Sequence, residues 1–220
     1  MAAHKEQPAV EGDEPFATAG TPITTIPVRI SYRIIELFSE GLYTSPSKAI
    51  EELVSNSFDA GAHNVNIVMS PDLTAKDAII AVIDDGESMD EAGLRQHWLI
   101  GASNKRSLPA APGRRKQIGK FGIGKLATFV LARHLTHVCK RDGRYYAATM
   151  DYSTIPEGRS GSVEFEGEDV ELPLRRLTEQ QARDCLPPLL FGSKPGFEAV
   201  RLFGKNAAPC WTIAILSKLK

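Results

Sequence analysis

The chain has 220 residues, 42% hydrophobic and 7% aromatic, which is enough apolar material for one sizeable core and too much for a disordered chain. A formal net charge of -1 excludes a globally basic nucleic-acid binder and a polybasic membrane anchor. Cys139, Cys185 and Cys210 are few and widely spaced, and no run is apolar and long enough for a signal peptide or membrane span. The expectation is a soluble, cytoplasmic protein with reduced thiols, no disulfide framework and no paired-cysteine zinc site.

Residues 1 to about 26 are rich in Pro, Ala, Thr and acids without a usable period, the pattern of a mobile arm. From Val28 to Glu40, Ile30, Ile34, Leu37 and Phe38 keep helical spacing and Gly41 follows as a stop, which predicts a first amphipathic helix. The stretch from Ser45 to Gly61 predicts the helix around which the chain is organised. Ser45 can cap it, Pro46 suits its first position and Gly61 supplies a left-handed stop. Ile50, Leu53, Val54, Ser57 and Phe58 fall on one side, while Glu52, Asn56 and Asp59 fall together on the other. A solvated face is the plain explanation of such a stripe. Yet Asn and Ser are mediocre helix formers, and Asp59 stands at the end where the macrodipole disfavours negative charge. The stripe therefore reads as a chemical face, a carboxylate above an amide.

Val65, Ile67 and Met69 alternate with polar residues as in a strand with one buried face, and Asp77 to Ile83 ends in the apolar run of a buried central strand. Asp84, Asp85 and Gly86 stand where that strand opens into a turn, a position that suits either an ordinary Asp-Gly turn or a ligand-contacting carboxylate. Asp90 can cap a helix from about Glu91 to Ile100. Residues 101 to 120 are small, Pro-containing and basic, the composition of a lid or a solvated loop, and carry Lys105, Arg106, Arg114, Arg115 and Lys116. Gly119, Gly122 and Gly124 then precede LATFVLA, which predicts a buried helix whose glycine-rich start offers N–H donors to an anion. Leu126 occupies the position of the P-loop hydroxyl, and the glycine spacing is GxxGxG, so neither a P-loop nor a Rossmann turn is present. Asp142-Gly143 predicts a hairpin between strands Leu135 to Lys140 and Arg144 to Met150. A short strand at Val163 to Phe165, a helix from Thr178 to Cys185 and a closing strand from Trp211 to Leu216 complete one α+β domain, with residues 186 to 209 unreadable and no internal repeat.

Taken in order, EELVSNSFDAGA, VIDDGESM, IGASNK, IGKFGIGKLATFVLA and WTIAIL resemble the motifs of the GHKL superfamily of ATP-binding domains, which includes gyrase, heat-shock chaperone, histidine kinase and MutL relatives. The resemblance covers about residues 28 to 150 and again 211 to 220, and looks closest to the branch of the ninety-kilodalton heat-shock chaperone and the MORC proteins. It implies the Bergerat ATP-binding fold over residues 27 to 220: a two-layer sandwich of a mixed, mostly antiparallel sheet with helices on one face, and a lid over about 101 to 124. The implied ligands are ATP and Mg2+. By the same resemblance Glu52 is the general base that activates water, Asn56 the magnesium ligand and Asp59 a residue near the nucleotide. Asp84 matches the acceptor for the adenine amino group, Gly86 the close backbone approach beside it, Met89 an apolar wall for the base, and Thr212 a hydroxyl that backs up Asp84. Gly119, Phe121, Gly122, Ile123 and Gly124 match the lid end that wraps the phosphates, with Lys105 and Lys125 as further phosphate contacts.

One departure stands in the second motif, usually DxGxG, where Ser88 replaces the last glycine; a side chain there costs about 1 to 2 kcal/mol if the backbone is left-handed. The chain ends just after the last matching strand, so the transducer domain whose lysine reaches the γ-phosphate in several relatives is not expected in it. The implied function is Mg-dependent ATP binding with slow hydrolysis to ADP and phosphate, driving lid closure and an ATP-dependent homodimer that acts on a client. Alternatives are a phosphotransferase module of histidine or protein kinase type, and a nucleotide sensor that barely hydrolyses. Nucleic-acid binding through Lys105 to Lys120 is a weaker fourth reading, and no membrane partner is expected.

Overall fold

The computed structural model describes residues 14–30, 45–98, 124–154, 168–191 and 201–220. In chain order the elements are α1 (Pro15–Thr18), β1 (Thr21–Ile30), α2 (Pro46–Asp59), β2 (Val65–Met69), β3 (Ile80–Asp84), α3 (Glu91–Trp98), a 3-10 segment (Gly124–Val130), β4 (Ala132–Arg141), β5 (Arg144–Asp151), β6 (Glu168–Leu177), α4 (Glu179–Cys185) and β7 (Trp211–Leu219). The strands form one seven-stranded sheet in the order β1-β6-β5-β4-β7-β3-β2, antiparallel at every described pair. The architecture is thus the expected α+β. Among the described residues no helix is long and apolar enough to cross a membrane, and all three cysteines are free.

Two parts of the N-terminal reading are corrected. Residues 14–26 are not part of an arm: Phe16 of α1 is buried, and β1 pairs along its length with β6, Ile26 opposite Leu172. Val28–Ile30, expected to begin a helix, extend β1, because alternation over Ile26, Val28 and Ile30 competes with helical spacing and the partner strand decides. The rest of that expected helix, residues 31–40, lies outside the described residues, as do residues 1–13 and the expected strand at Val163 to Phe165. The apolar run LATFVLA is corrected as well. It is a 3-10 segment from Gly124 to Val130, and Ala132 already belongs to β4. β4 starts at Ala132, which pairs with Leu219 of β7, so the sheet claims the chain at the end of the run and leaves only the short stretch from Gly124 to Val130 for a helix, which closes as 3-10.

Strand alternation gives the sheet two apolar faces. Ile80 and Val82 of β3, Leu135 and Cys139 of β4, and Ala214 and Leu216 of β7 join Leu53 of α2 and Leu94 and Trp98 of α3 in one core. Ile83, Val138, Ile213 and Ile215 join Phe16 of α1 and Ala182 and Cys185 of α4 in the other. The longer helices share one face, as expected, and the far face is covered by the short α1 and α4. The Asp142-Gly143 turn forms as expected with both residues at positive φ, 50° and 70°, the backbone that a two-residue hairpin requires. Thr178 caps α4 through a capping box with Gln181. The closing strand runs on to Leu219 and does not lie at an edge: it is inserted between β4 and β3.

A buried ionic cluster ties α1 to the sheet. His134 of β4 meets Glu14 through Nδ1 at 3.1 Å and Asp151 of β5 through Nε2 at 3.4 Å, with Lys218 of β7 3.3 Å from the same Nε2. Burial opposes the imidazolium, but the two carboxylates outweigh it and lift its pKa to about 9, and the Glu14 and Asp151 carboxyls are held below the usual range. Since the His134 pKa rises above its unfolded value of 6.5, its stabilisation is complete below about pH 6.5 and is lost as pH rises through about 9. The wild type should therefore lose about 3 °C or more of melting temperature between pH 7 and 10 relative to His134→Gln, the size expected of about 1 kcal/mol in a domain of this length. Parallel melting curves for the two proteins across that range would contradict the cluster.

Candidate functional site

The site grows out of the two ends of α2 and β3. Ser45 caps α2, its hydroxyl accepting the Ser47 N–H, and Pro46 takes the first position. At the far end Gly61 has φ 76°, Gly61 N–H donates to Phe58 O and Ala62 N–H to Ser57 O, a paired helix stop. This turn brings the chain back against the end of β3. Asp85 holds it there, accepting from His63 N–H at 2.7 Å, Asn64 N–H at 2.8 Å and the Asn64 side chain at 2.7 Å. Partial burial opposes the Asp85 charge, but these donors outweigh it and keep the carboxyl below its usual range.

Asp84, one residue earlier, is a different carboxylate. It is 5% exposed, accepts the Ser57 hydroxyl at 2.9 Å on one oxygen and the Gly86 N–H at 2.9 Å on the other, and faces Thr212 across the β3–β7 pair. Burial pushes its pKa up; the Gly86 and Ser57 donors only partly offset this, and the neighbouring Asp85 charge adds to it. A buried carboxylate whose desolvation is only partly offset, with donors on both oxygens and open to a cavity, is poised to accept a further hydrogen bond. Gly86 is required by close approach: a Cβ there would stand 2.9 Å from both Cβ and O of Ala60 and 3.0 Å from the Asp84 carboxylate.

The cavity between α2, β3, β4 and β7 has a volume of about 210 Å³ and is lined by Leu53, Asn56, Ser57, Asp59, Ala60, Val82, Asp84, Ser88, Met89, His97, His137, Thr212 and Ala214. Of the expected site residues it gathers Asn56, Asp59, Asp84, Met89 and Thr212, with Gly86 buried behind Asp84. Glu52 lies one turn before Asn56 on α2, partly buried and outside this lining. Lys105, Gly119, Phe121, Gly122 and Ile123 lie outside the described residues. Gly124 and Lys125 begin the 3-10 segment, which packs along α2.

Ser57, expected on the packing side of α2, is the residue the pattern hid: it is buried, but its hydroxyl donates to Asp84. A lone hydroxyl on an apolar helix face was the available signal. His97 and His137, whose rings meet at 4.7 Å, are also cavity residues that helix and strand patterning did not mark. Ser88 adopts the left-handed backbone of the glycine it replaces, φ 57°, and is buried; its hydroxyl donates to Trp211 O at 2.7 Å and its carbonyl accepts from Arg141 at 2.9 Å.

A family model described as histidine kinase-, DNA gyrase B-, and HSP90-like ATPase matches residues 43–182, more than half of the chain. The chain belongs to this family, and membership supports ATP binding by it. The match takes in α2, Asp84 and strands β2 to β6, begins after β1 and ends before β7, so Thr212 joins the site through the fold rather than through the match.

Two substitutions separate the frame from the cavity. Gly86→Ala should cost about 1 to 3 kcal/mol by overpacking against Ala60, seen as a lowered melting temperature. Asp85→Ala should cost a similar amount, about 1.5 to 3 kcal/mol, through its lost charged hydrogen bonds. Wild-type melting of either variant would contradict the contacts assigned to it.

Proposed function

We propose that this chain binds ATP with its adenine in the cavity beside Asp84, uses magnesium held at Asn56, and hydrolyses the nucleotide slowly with Glu52 as general base. The observation that carries the reading is the buried Asp84 carboxylate, cradled by Ser57 and Gly86 and open to a cavity with apolar walls at Leu53, Val82, Met89 and Ala214. Such a cavity suits a flat base with an amino group, and the carboxylate supplies the acceptor for it. Asp59 lines the same cavity, and Thr212 backs Asp84 from the neighbouring strand.

Among the described residues no group of three or more His, Cys, Asp or Glu side chains gathers as a metal cage. Magnesium bound to a nucleotide keeps several waters and takes as few as one protein oxygen, which the Asn56 amide on the cavity wall can provide. Held by Asn56, the ion would supply charge to offset that of the phosphates. Glu52, one helical turn from Asn56 and outside the base cavity, is placed in our reading beside the phosphates, where its carboxylate would take a proton from water. Lys105, Gly119, Phe121, Gly122, Ile123, Gly124 and Lys125 are assigned to the phosphates on resemblance to the family, as parts of a lid over about 101 to 124. The biological reading is a nucleotide-driven conformational or dimerisation switch of the heat-shock chaperone and MORC type, working in the cytoplasm.

Asp84→Asn tests the base site. Because burial raises the Asp84 pKa, ionisation at neutral pH costs native stability, so the neutral variant should melt at the wild-type temperature or above. ATP affinity by calorimetry should nevertheless fall at least about tenfold, within the range for a buried polar partner left unpaired. Unchanged affinity would remove the base from this cavity.

The helix tests chemistry apart from binding. Glu52→Ala should bind ATP nearly normally and release phosphate at least about 100-fold more slowly, whereas Asn56→Ala should lose the magnesium-dependent part of binding. Wild-type phosphate release by Glu52→Ala would exclude it as the base. Tight binding without phosphate release by the wild type would favour the nucleotide sensor.

A further inference from the structure

The turn after β3 differs from a glycine turn by one side chain, and that side chain changes what the cavity can offer. Ser88 has a single hydroxyl proton, and it goes to the Trp211 carbonyl oxygen at 2.7 Å, since a carbonyl can only accept. The Ser88 oxygen then receives the Thr212 hydroxyl proton at 3.0 Å. Thr212 lines the cavity and is 8% exposed, but its proton is turned away from the interior. Its cross-strand partner Asp84 brings only acceptor oxygens, already holding the Ser57 and Gly86 donors. Cys139, opposite Thr212 on the other side of β7, is fully buried and does not line the cavity; burial pushes its thiol up to about 12, so it brings no charge and its S–H stays out of the lining. The β3–β7 edge of the cavity therefore presents lone pairs alone.

We infer that Ser88 is a positioning residue for base selection: by taking the Thr212 proton it keeps this edge all-acceptor, so that a purine with an amino group at C6 is chosen over one with a carbonyl there. The inference rests on the reading of the cavity as the base site. An adenine amino group can donate to Asp84 or Thr212. A C6 carbonyl meets only other lone pairs, and leaves buried acceptors without a partner. Ser88 holds this arrangement in a left-handed backbone that glycine would adopt without strain, so the residue at this position is not the one that turn geometry alone favours.

The test compares ATP with inosine triphosphate, which differs in the C6 substituent and the proton on N1. Competition binding is measured for the full chain, wild type, Ser88→Gly and Ser88→Ala, with Thr212→Val and the pair Ser88→Gly/Thr212→Val as controls. Both single variants free the Thr212 hydroxyl to donate into the cavity, so the preference for ATP should fall about fivefold or more, and the double variant should not show that fall relative to Thr212→Val. A merely structural Ser88 would weaken both nucleotides together and leave their ratio alone. A ratio within about twofold of wild type in folded Ser88→Gly therefore overturns the role of Ser88 while leaving the base site standing. A wild type that binds neither nucleotide overturns the base-site reading, and the inference with it.

Discussion

Burying the Asp84 carboxylate is the constraint on which the site depends. An uncompensated charge in such a position is expensive, and two donors, the Ser57 hydroxyl from α2 and the Gly86 N–H from the following turn, offset only part of the cost. The Gly86 N–H is supplied by the turn itself, whereas the Ser57 donor needs the end of α2 packed against the end of β3. That contact is made by the glycine at 86, which lets the backbone lie against Ala60, and by Asp85, which binds the turn at His63 and Asn64. Two adjacent aspartates thus divide the work: one secures the frame and gains from its charge, the other is held at a cost inside a cavity. A cost retained at a cavity wall is the usual mark of a functional group.

β7 completes the arrangement from the far end of the chain. Its insertion between β4 and β3 sets Thr212 opposite Asp84, and its first residue, Trp211, accepts the Ser88 hydroxyl through its carbonyl, while Arg141 of β4 donates to the Ser88 carbonyl. The two faces of the sheet carry different duties. One packs α2 and α3 and opens into the cavity; the other is closed by α1, α4 and the His134 cluster, which joins Glu14 to β4 and β5. The cavity therefore sits on a sheet whose opposite side is sealed, so that its walls are held by packing and not by the ligand.

Local signals in the chain were legible where one short segment decides its own geometry. Ser45, Pro46 and Gly61 mark α2, Asp142-Gly143 marks the hairpin, and Thr178 marks α4, and each forms as read. Of the residues that motif order brought together before any geometry was available, the cavity gathers Asn56, Asp59, Asp84, Met89 and Thr212, while Glu52 stands outside its lining and the lid residues 105, 119 and 121–123 lie outside the described residues. What pairing decides was not legible. Val28–Ile30 fit two periods, and only β6 selects the strand; the apolar run after Gly124 fits a helix, but pairing of Ala132 with β7 starts β4 at once and leaves room only for a short 3-10 segment. Ser57 escaped notice because helical periodicity assigns a face without saying that the face borders a buried carboxylate. Ser88 was marked as a departure, but its bond to Trp211 spans 123 residues and no local pattern encodes it.

The central role of Asp84 is tested most directly by a crystal structure of the chain with magnesium and a non-hydrolysable ATP analogue. The adenine should lie in the cavity between α2 and β3 with its amino nitrogen within about 3.2 Å of an Asp84 oxygen, the Ser57 and Gly86 donors still in place. A base bound outside this cavity, or inside it with the amino group turned away from Asp84, would contradict the assignment.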